Sequence, residues 1–219
     1  MQTSSASLQP SHITIQATRQ LIEQTAFCHR HRTNDKHFTR CRRLPFVTAV
    51  LFLLQKTVRS IHNHLSDFFH VLSPDSPAIT AASWSQARVK FSHTAFIELN
   101  ERAVLDVVYR GQSDFVVRRW KGHRLTGVDS SLIRLPNRQA LGEEFGWVDC
   151  ANQAGPSGRY PQARLSVWTD LLNRVALHTL LVPWEQGERD LALQHIPQME
   201  PEDVCILDRG FASFELFAQ

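Results

Sequence analysis

The sequence has no CxxC pair among its four cysteines, at positions 28, 41, 150 and 205, and no regular spacing between them. Neither a disulfide framework nor the usual paired-ligand zinc site fits such a pattern, and a reducing cytoplasm with free thiols is the expected setting. No apolar run reaches membrane length. The longest, LPFVTAVLFLL from Leu44 to Leu54, is about half of the roughly 20 residues a bilayer span needs. It also lies too far from Met1 for a signal peptide, so no membrane partner is expected. Repeats and low-complexity tracts are absent, and the net charge is only +3. What remains is 219 residues with 42% hydrophobic content, enough for a sizeable core and for one full domain plus a smaller one.

The small net charge is unevenly spread. In HRHRTNDKHFTRCRR, His29 to Arg43, six Lys and Arg face a single Asp. Such a cluster can neutralise several phosphates and confer salt-sensitive affinity for DNA, with Arg40, Arg42 and Arg43 at its centre; a solvated basic connector is the alternative. Cys28, His29, His31, His37 and Cys41 in the same stretch lack zinc-site spacing, and no zinc is assigned. A second cluster, RRWKGHR, supplies Arg118, Arg119, Lys121 and Arg124 around Trp120. Cations interleaved with an aromatic suit a nucleic-acid strand, unless Trp120 points into a core.

The first half reads as helical. From Phe46 to Phe69 the residues Val47, Val50, Leu51, Leu54, Val58, Ile61, Leu65 and Phe68 recur at three- and four-residue intervals, which predicts one helix face. Pro45 suits the first turn of that helix. SPDSP, Ser73 to Pro77, breaks the pattern, and the following segment predicts a short helix, a turn near Ser92 and a longer helix.

Past Trp120 the pattern becomes that of strands. RLTGVD, ending at Asp129, is a short one; ARLSVWTDLL and RVALHTLLVP form an antiparallel hairpin; GERDLALQHI is a helix; and VCILD is a strand suited to full burial that ends at Asp208. The Gly- and Pro-rich segment from Pro136 to Gln162 reads as a long excursion. The fold class is therefore α/β, with N-terminal helices followed by a mixed sheet of three antiparallel strands, a helix and a fourth strand.

Carboxylates end the first and fourth strands, and the carboxyl ends of strands are where α/β sites form. If those strands are neighbours, Asp129 and Asp208 meet, and paired carboxylates suit hard divalent cations. Two such ions can clamp the oxygens of an in-line phosphoryl displacement. Asp170 and His178 read as a hairpin residue and a core or edge histidine, and Ser130 and Ser131 as a polar strand exit or DNA contacts.

WKGHRLTGVDSSLIRLPN, ARLSVWTDLLNRVALHTLLVPWEQGERDLALQHI and DVCILDRGFASFELF resemble the catalytic core of the IS4 family of DDE transposases. HFTRCRRLPFVTAVLFLLQKTVRSIHNHLSDFF and SWSQARVKF are similar to that family's N-terminal helical region. The resemblance runs from about His37 to Gln219. Residues 1–30 are expected to form an N-terminal tail and helix, and the resemblance implies 31–117 as a helical DNA-binding-type domain and 118–219 as a C-terminally truncated RNase H-like catalytic domain. It further implies a bacterial, cytoplasmic enzyme that cleaves double-stranded DNA at transposon ends and transfers the strands to a target. Its cofactor would be Mg²⁺ (or Mn²⁺), two ions in the complete site, and its assembly a homo-oligomer in a synaptic complex.

Asp129 matches the family's first aspartate and Asp208 its second, with Arg209 beside it offering charge to a phosphate. The third acid, a Glu on a helix well beyond the second aspartate, has no counterpart before Gln219, and Glu215, seven residues after Asp208, is not assigned the role. The expectation is a partial or inactive fragment with an exposed sheet edge and an uncovered apolar face at Phe211, Phe214, Leu216 and Phe217. The alternative is a non-catalytic, DNA-binding remnant of a decayed element.

Overall fold

The computed structural model describes residues 10–40, 43–56, 60–73, 79–111, 116–152, 155–211, 213, 216 and 218. They fall into two compact units, Met1–Phe115 and Val116–Gln219.

The first unit is helical: α1 (Pro10–Ile22), α2 (Thr25–His31), α3 (Phe46–Leu54), α4 (Ile61–Leu72), α5 (Ala81–Arg88) and α6 (Thr94–Glu98), which widens into π-type turns over Leu99–Arg110. The single helix expected from Phe46 to Phe69 is two. Gln55, after α3, is already extended, and Ser60 opens α4 by accepting a hydrogen bond from the Asn63 N–H, an N-cap that starts a helix afresh. Apolar spacing runs through this break because both helices bury one stripe in the same core, where the Phe52 and Phe68 rings meet edge to face at 5.4 Å. Leu54 and Ile61, which the one-helix reading put inside, are half exposed beside the break, and Val58 lies outside the described residues. Pro45 stands at the N-cap of α3 rather than within its first turn.

The core of this unit gathers Ile22, Phe27, Phe46, Val50, Leu65, Trp84 and Leu99. A short helix α5, a turn and a longer helix follow one another as expected. The segment after α2 is pinned to the turn after α5: Thr33 N–H donates to the Lys90 carbonyl and Ser92 N–H to that of His31.

The second unit holds β1 (Arg124–Arg134), α7 (Gln139–Phe145), β2 (Trp147–Asn152), β3 (Gly155–Asp170), β4 (Val175–Pro183), α8 (Glu188–His195) and β5 (Asp203–Ile206). β3 lies between β1 and β4, antiparallel to both, and β5 joins the far side of β1 in parallel. The α/β class and mixed sheet are as expected.

Three local expectations change. The described residues from 136 to 162 form regular elements: α7 and the paired strands β2 and β3 occupy this segment, and the ring of Trp147 packs where a side chain on Gly142 would stand. The glycines that suggest a loop here permit that close approach. β1 does not end at Asp129 but runs five residues further, still paired with β3 as far as Arg134↔Gln162. β5 is a half-buried strand with Ile206 52% exposed, because β1 is its one strand partner among the described residues.

α8 covers one sheet face. There Val128, Trp168, Ala192 and Phe211 form a core, with Leu177, Cys205, Leu207 and Leu216 packed on it. Phe211 is thus buried and Leu216 packed against the core, contrary to the expected uncovered face; Phe214 and Phe217 lie outside the described residues. The short helical turn Arg209–Phe211 reverses the chain after β5 and tucks the Phe211 ring under α8.

Candidate functional site

Pairing between β1 and β5 ends at Gly127↔Ile206. Two residues further along each chain stand Asp129 and Asp208, both exposed. Strands leave that last pair about 4.8 Å apart, so Asp129 and Asp208 both follow the point where the two strands part. Side chains alternate along a strand. Val128 and Leu207 pack in the α8 core; alternation turns Asp129, within β1, to the opposite face, and Asp208, just past the end of β5, is exposed.

Each carboxylate is oriented by its own backbone. Asp129 Oδ1 accepts the Ser130 N–H at 2.8 Å, and Asp208 Oδ1 accepts the Gly210 N–H at 2.6 Å. No protein donor among the described residues reaches either Oδ2. A pair of solvent-facing carboxylates, each with an oxygen to spare, is a donor set that fits a hard divalent cation. Mg²⁺ in particular is commonly held by one or two carboxylates plus substrate oxygens. No cluster of three or more acidic, histidine or cysteine ligands occurs among the described residues, and Glu215 lies outside them.

The turn carrying Asp208 is held from α8, where Arg189 Nε donates to the Gly210 carbonyl at 2.9 Å. Sequence reading missed Arg189 because nothing local marks it; the contact joins positions 21 residues apart.

The cations divide. Trp120 and His123 exchange backbone hydrogen bonds around Lys121 and Gly122, whose φ angles are 50° and 90°, the two-residue turn that needs left-handed backbone at both centres. This turn exposes Trp120, with Lys121 Nζ 4.9 Å from its ring centroid. Arg118 and Arg119 flank it in the open, Arg119 near Glu202 at 3.6 Å. The whole patch precedes β1, whereas Asp129 lies five residues into that strand, roughly 17 Å on.

Arg124 differs from its neighbours. Its Nε and Nη2 each lie 2.6 Å from an oxygen of Asp203 on β5 and its guanidinium sits over the Trp168 ring, so its charge is neutralised inside the sheet. Arg209 is exposed directly after Asp208. In the helical unit Arg40 and Arg43 are exposed on one cleft, and Arg42 lies outside the described residues. Arg30 and Arg32 of the same run are tied to Glu98 and Asp35.

Other polar residues have structural work. Asp170 is fully buried and accepts from the N–H groups of Leu172 and Asn173 and from the Asn173 side chain, closing the β3–β4 turn. His178 bonds to His195, which also bonds to Ser166; burial, then the charge of His178, pushes the His195 pKa down to about 4. The Ser130 hydroxyl is buried, whereas Ser131 is exposed.

No family profile matches the chain. Over 107 residues it is 24% identical to "Putative transposase InsZ" of Escherichia coli (strain K12), a stretch that covers 49% of this chain and 35% of that protein. The relationship is transposase-like. The chain thus spans about a third of the length of the curated relative it matches. No helix among the described residues is long and apolar enough to cross a membrane.

Proposed function

We propose that this chain carries part of the active site of a DDE transposase of the IS4 family, built on an RNase H-like sheet, with double-stranded DNA as its substrate. The juxtaposition of Asp129 and Asp208 where β1 and β5 part carries the reading. Three antiparallel strands, then a helix and a further strand, are the arrangement that the resemblance implies, and β1, β3, β4, α8 and β5 follow that order with β5 beside β1.

Asp129 and Asp208 would hold Mg²⁺ or Mn²⁺ between them on the open sheet face. A pair of such ions, when bound, stabilises the attacking and leaving oxygens of an in-line displacement at phosphorus. The protein's own part is to fix the two carboxylates on rigid strand backbone and to aim their free oxygens outward. Arg209 supplies charge to a phosphate beside Asp208. Arg118, Arg119 and Lys121, roughly 17 Å away, suit backbone contacts about five base pairs from the reacting phosphate at ~3.4 Å per base pair. Arg124 is left out of the DNA contacts because Asp203 neutralises it. Arg40, Arg42 and Arg43 belong to a separate contact by the helical unit, and a synaptic homo-oligomer is the expected assembly.

Calorimetric titration with Mn²⁺ tests the site. Binding should be weak, roughly millimolar, and lost in Asp208→Asn and in Asp129→Asn. Tight binding that survives both substitutions would place the site elsewhere. Incubating supercoiled plasmid bearing the element ends with Mg²⁺ or Mn²⁺ separates two outcomes. Nicking that disappears in Asp129→Ala assigns catalysis to this chain, whereas DNA binding without nicking assigns it the binding role alone.

A further inference from the structure

A cleft of about 780 Å³ in the helical unit, lined in part by Arg40 and Arg43, the cations proposed above to contact DNA, lies away from the carboxylate pair in the chain. Its volume falls in the range of small-molecule sites, ~300–1,000 Å³. Its walls are of two kinds. Phe38, Leu44 and Ile79 make an apolar side; Lys36, Arg40 and Lys90 contribute cations. Among the described residues the one carboxylate on the lining, Asp35, is paired with Arg32 at 2.8 Å. Lys36 and Arg40 have no ion-pair partner among the described residues. Ser83 and Gln86, exposed on α5, add neutral donors and acceptors to the lining.

The apolar wall is built deliberately. Phe38 has φ 57°, a left-handed backbone that a bulky side chain adopts only when its surroundings over-determine it. Here the surroundings are the rings of Phe46, at 5.3 Å and nearly perpendicular, and Phe91, at 6.4 Å. The Lys36 N–H bonded to Asn34 Oδ1 and the Thr39 hydroxyl bonded to the Lys36 carbonyl tie the loop on either side. An aromatic wall set beside unpaired cations matches a ligand with a flat, weakly polar part and an anionic part a few ångströms apart.

We infer that this cleft binds a nucleoside 5′-phosphate unit, the base against Phe38, Leu44 and Ile79 and the phosphate at Lys36, Arg40 and Lys90. The unit is either a free mononucleotide or a single unpaired nucleotide within a DNA strand; the recognition chemistry is the same for both.

The test uses the full chain and three probes: thymidine 5′-monophosphate, a short single-stranded oligonucleotide, and inorganic phosphate, each titrated while the amide resonances of residues 36–40 and 83–90 are followed by NMR. Saturable shifts with either nucleotide probe, at affinity at least about tenfold above inorganic phosphate, are expected; Arg40→Glu and Lys90→Glu should each weaken binding by about tenfold or more, the worth of a charge-assisted hydrogen bond. Arg19→Glu, an exposed change on α1, should leave it unaltered. Binding of the mononucleotide with little binding of the strand assigns the free ligand, equal binding of both shows that the site takes the unit in either form, and binding of the strand alone assigns the unpaired nucleotide. Equal affinity for inorganic phosphate, or nucleotide binding unaffected by Arg40→Glu, overturns the inference. Because Asp129 and Asp208 take no part, it can fail while the Mn²⁺ result stands, and the reverse.

Discussion

Arg124 and Asp203 face each other across the parallel strands β1 and β5, the guanidinium bridging both carboxylate oxygens at 2.6 Å. The pair is almost wholly enclosed, with the Asp203 side chain 4% exposed. The contact sits at the first pair of the register that ends at Gly127 and Ile206, two residues before Asp129 and Asp208.

Removing one partner of a buried ion pair strands the other's charge, which costs about 3 to 5 kcal/mol. Asp203→Ala should therefore lower the stability of the second unit by about that amount in urea unfolding. Arg124→Met together with Asp203→Leu should recover most of it, because two apolar side chains leave no charge buried. A single substitution with no effect would show that the pair is solvated.

His195 predicts an acid-sensitive sheet unit. Its folded pKa, about 4, lies below the ordinary value near 6.5. In that window the unfolded chain binds the proton and the folded chain does not. Stability therefore rises with pH from about 4 to 6.5, by at most about 1.4 kcal/mol per pH unit from this group, and levels off above. Urea midpoints measured from pH 7.5 down to 4.5 should fall accordingly, with the His195 ring resonances remaining those of the neutral form. Resonances that titrate near 6.5 in the folded protein would refute the assignment.

Glu98 predicts the acid limb of the helical unit. It accepts from Arg30 at 3.1 Å, from Arg102 at 2.9 Å and bonds His31 at 2.7 Å. Hydrogen bonding to Arg30 above all, against the opposing effect of burial, brings its carboxyl down to about 2. A depressed carboxylate stabilises the fold fully above its ordinary pKa and loses that contribution as pH falls toward the folded value. Glu98→Gln should lower the thermal midpoint at pH 7 and show a smaller loss between pH 4.5 and 2.5 than the parent. Equal midpoints at pH 7 would mean that the cluster contributes nothing.

DNA affinity should fall steeply with salt. If Arg40, Arg43, Arg118, Arg119, Lys121 and Arg209 each contact a phosphate, neutralising one should reduce the slope of log K against log salt by about 0.9. Charge reversal at Arg118 or Lys121 should weaken binding to all sequences alike, read by fluorescence anisotropy at several salt concentrations. Arg124→Gln, by contrast, should act through stability. An unchanged slope after Lys121→Ala would remove the turn from the interface.

Much of the architecture was legible in the amino-acid order. Alternation of apolar and polar residues marked β4, and the boundaries of α8 and β5 fell close to the expected ones, because each is short, regular and bounded by turn residues. Asp129 and Asp208 could be singled out as acids beside apolar runs. The one-helix reading of Phe46 to Phe69 failed because periodicity records which side is buried, not whether the backbone between two buried stripes is continuous. The segment from 136 to 162 was misread for the converse reason: Gly142 makes room for the Trp147 ring, and a turn-rich composition looks the same whether or not it is packed.

Local sequence alone marked α5, α8, β4 and β5 and the acids that follow apolar runs, since hydrophobic period and turn chemistry act over a few residues. Tertiary structure decided that β5 lies beside β1, so that Asp129 and Asp208 both follow the end of that pairing. It also decided that Arg124 is consumed by Asp203 while Lys121 stays free, and that Arg189 holds the turn after Asp208. These are contacts between residues 21 to 79 positions apart, and pairings at that range depend on which elements pack together, a choice made by burying the whole core at once.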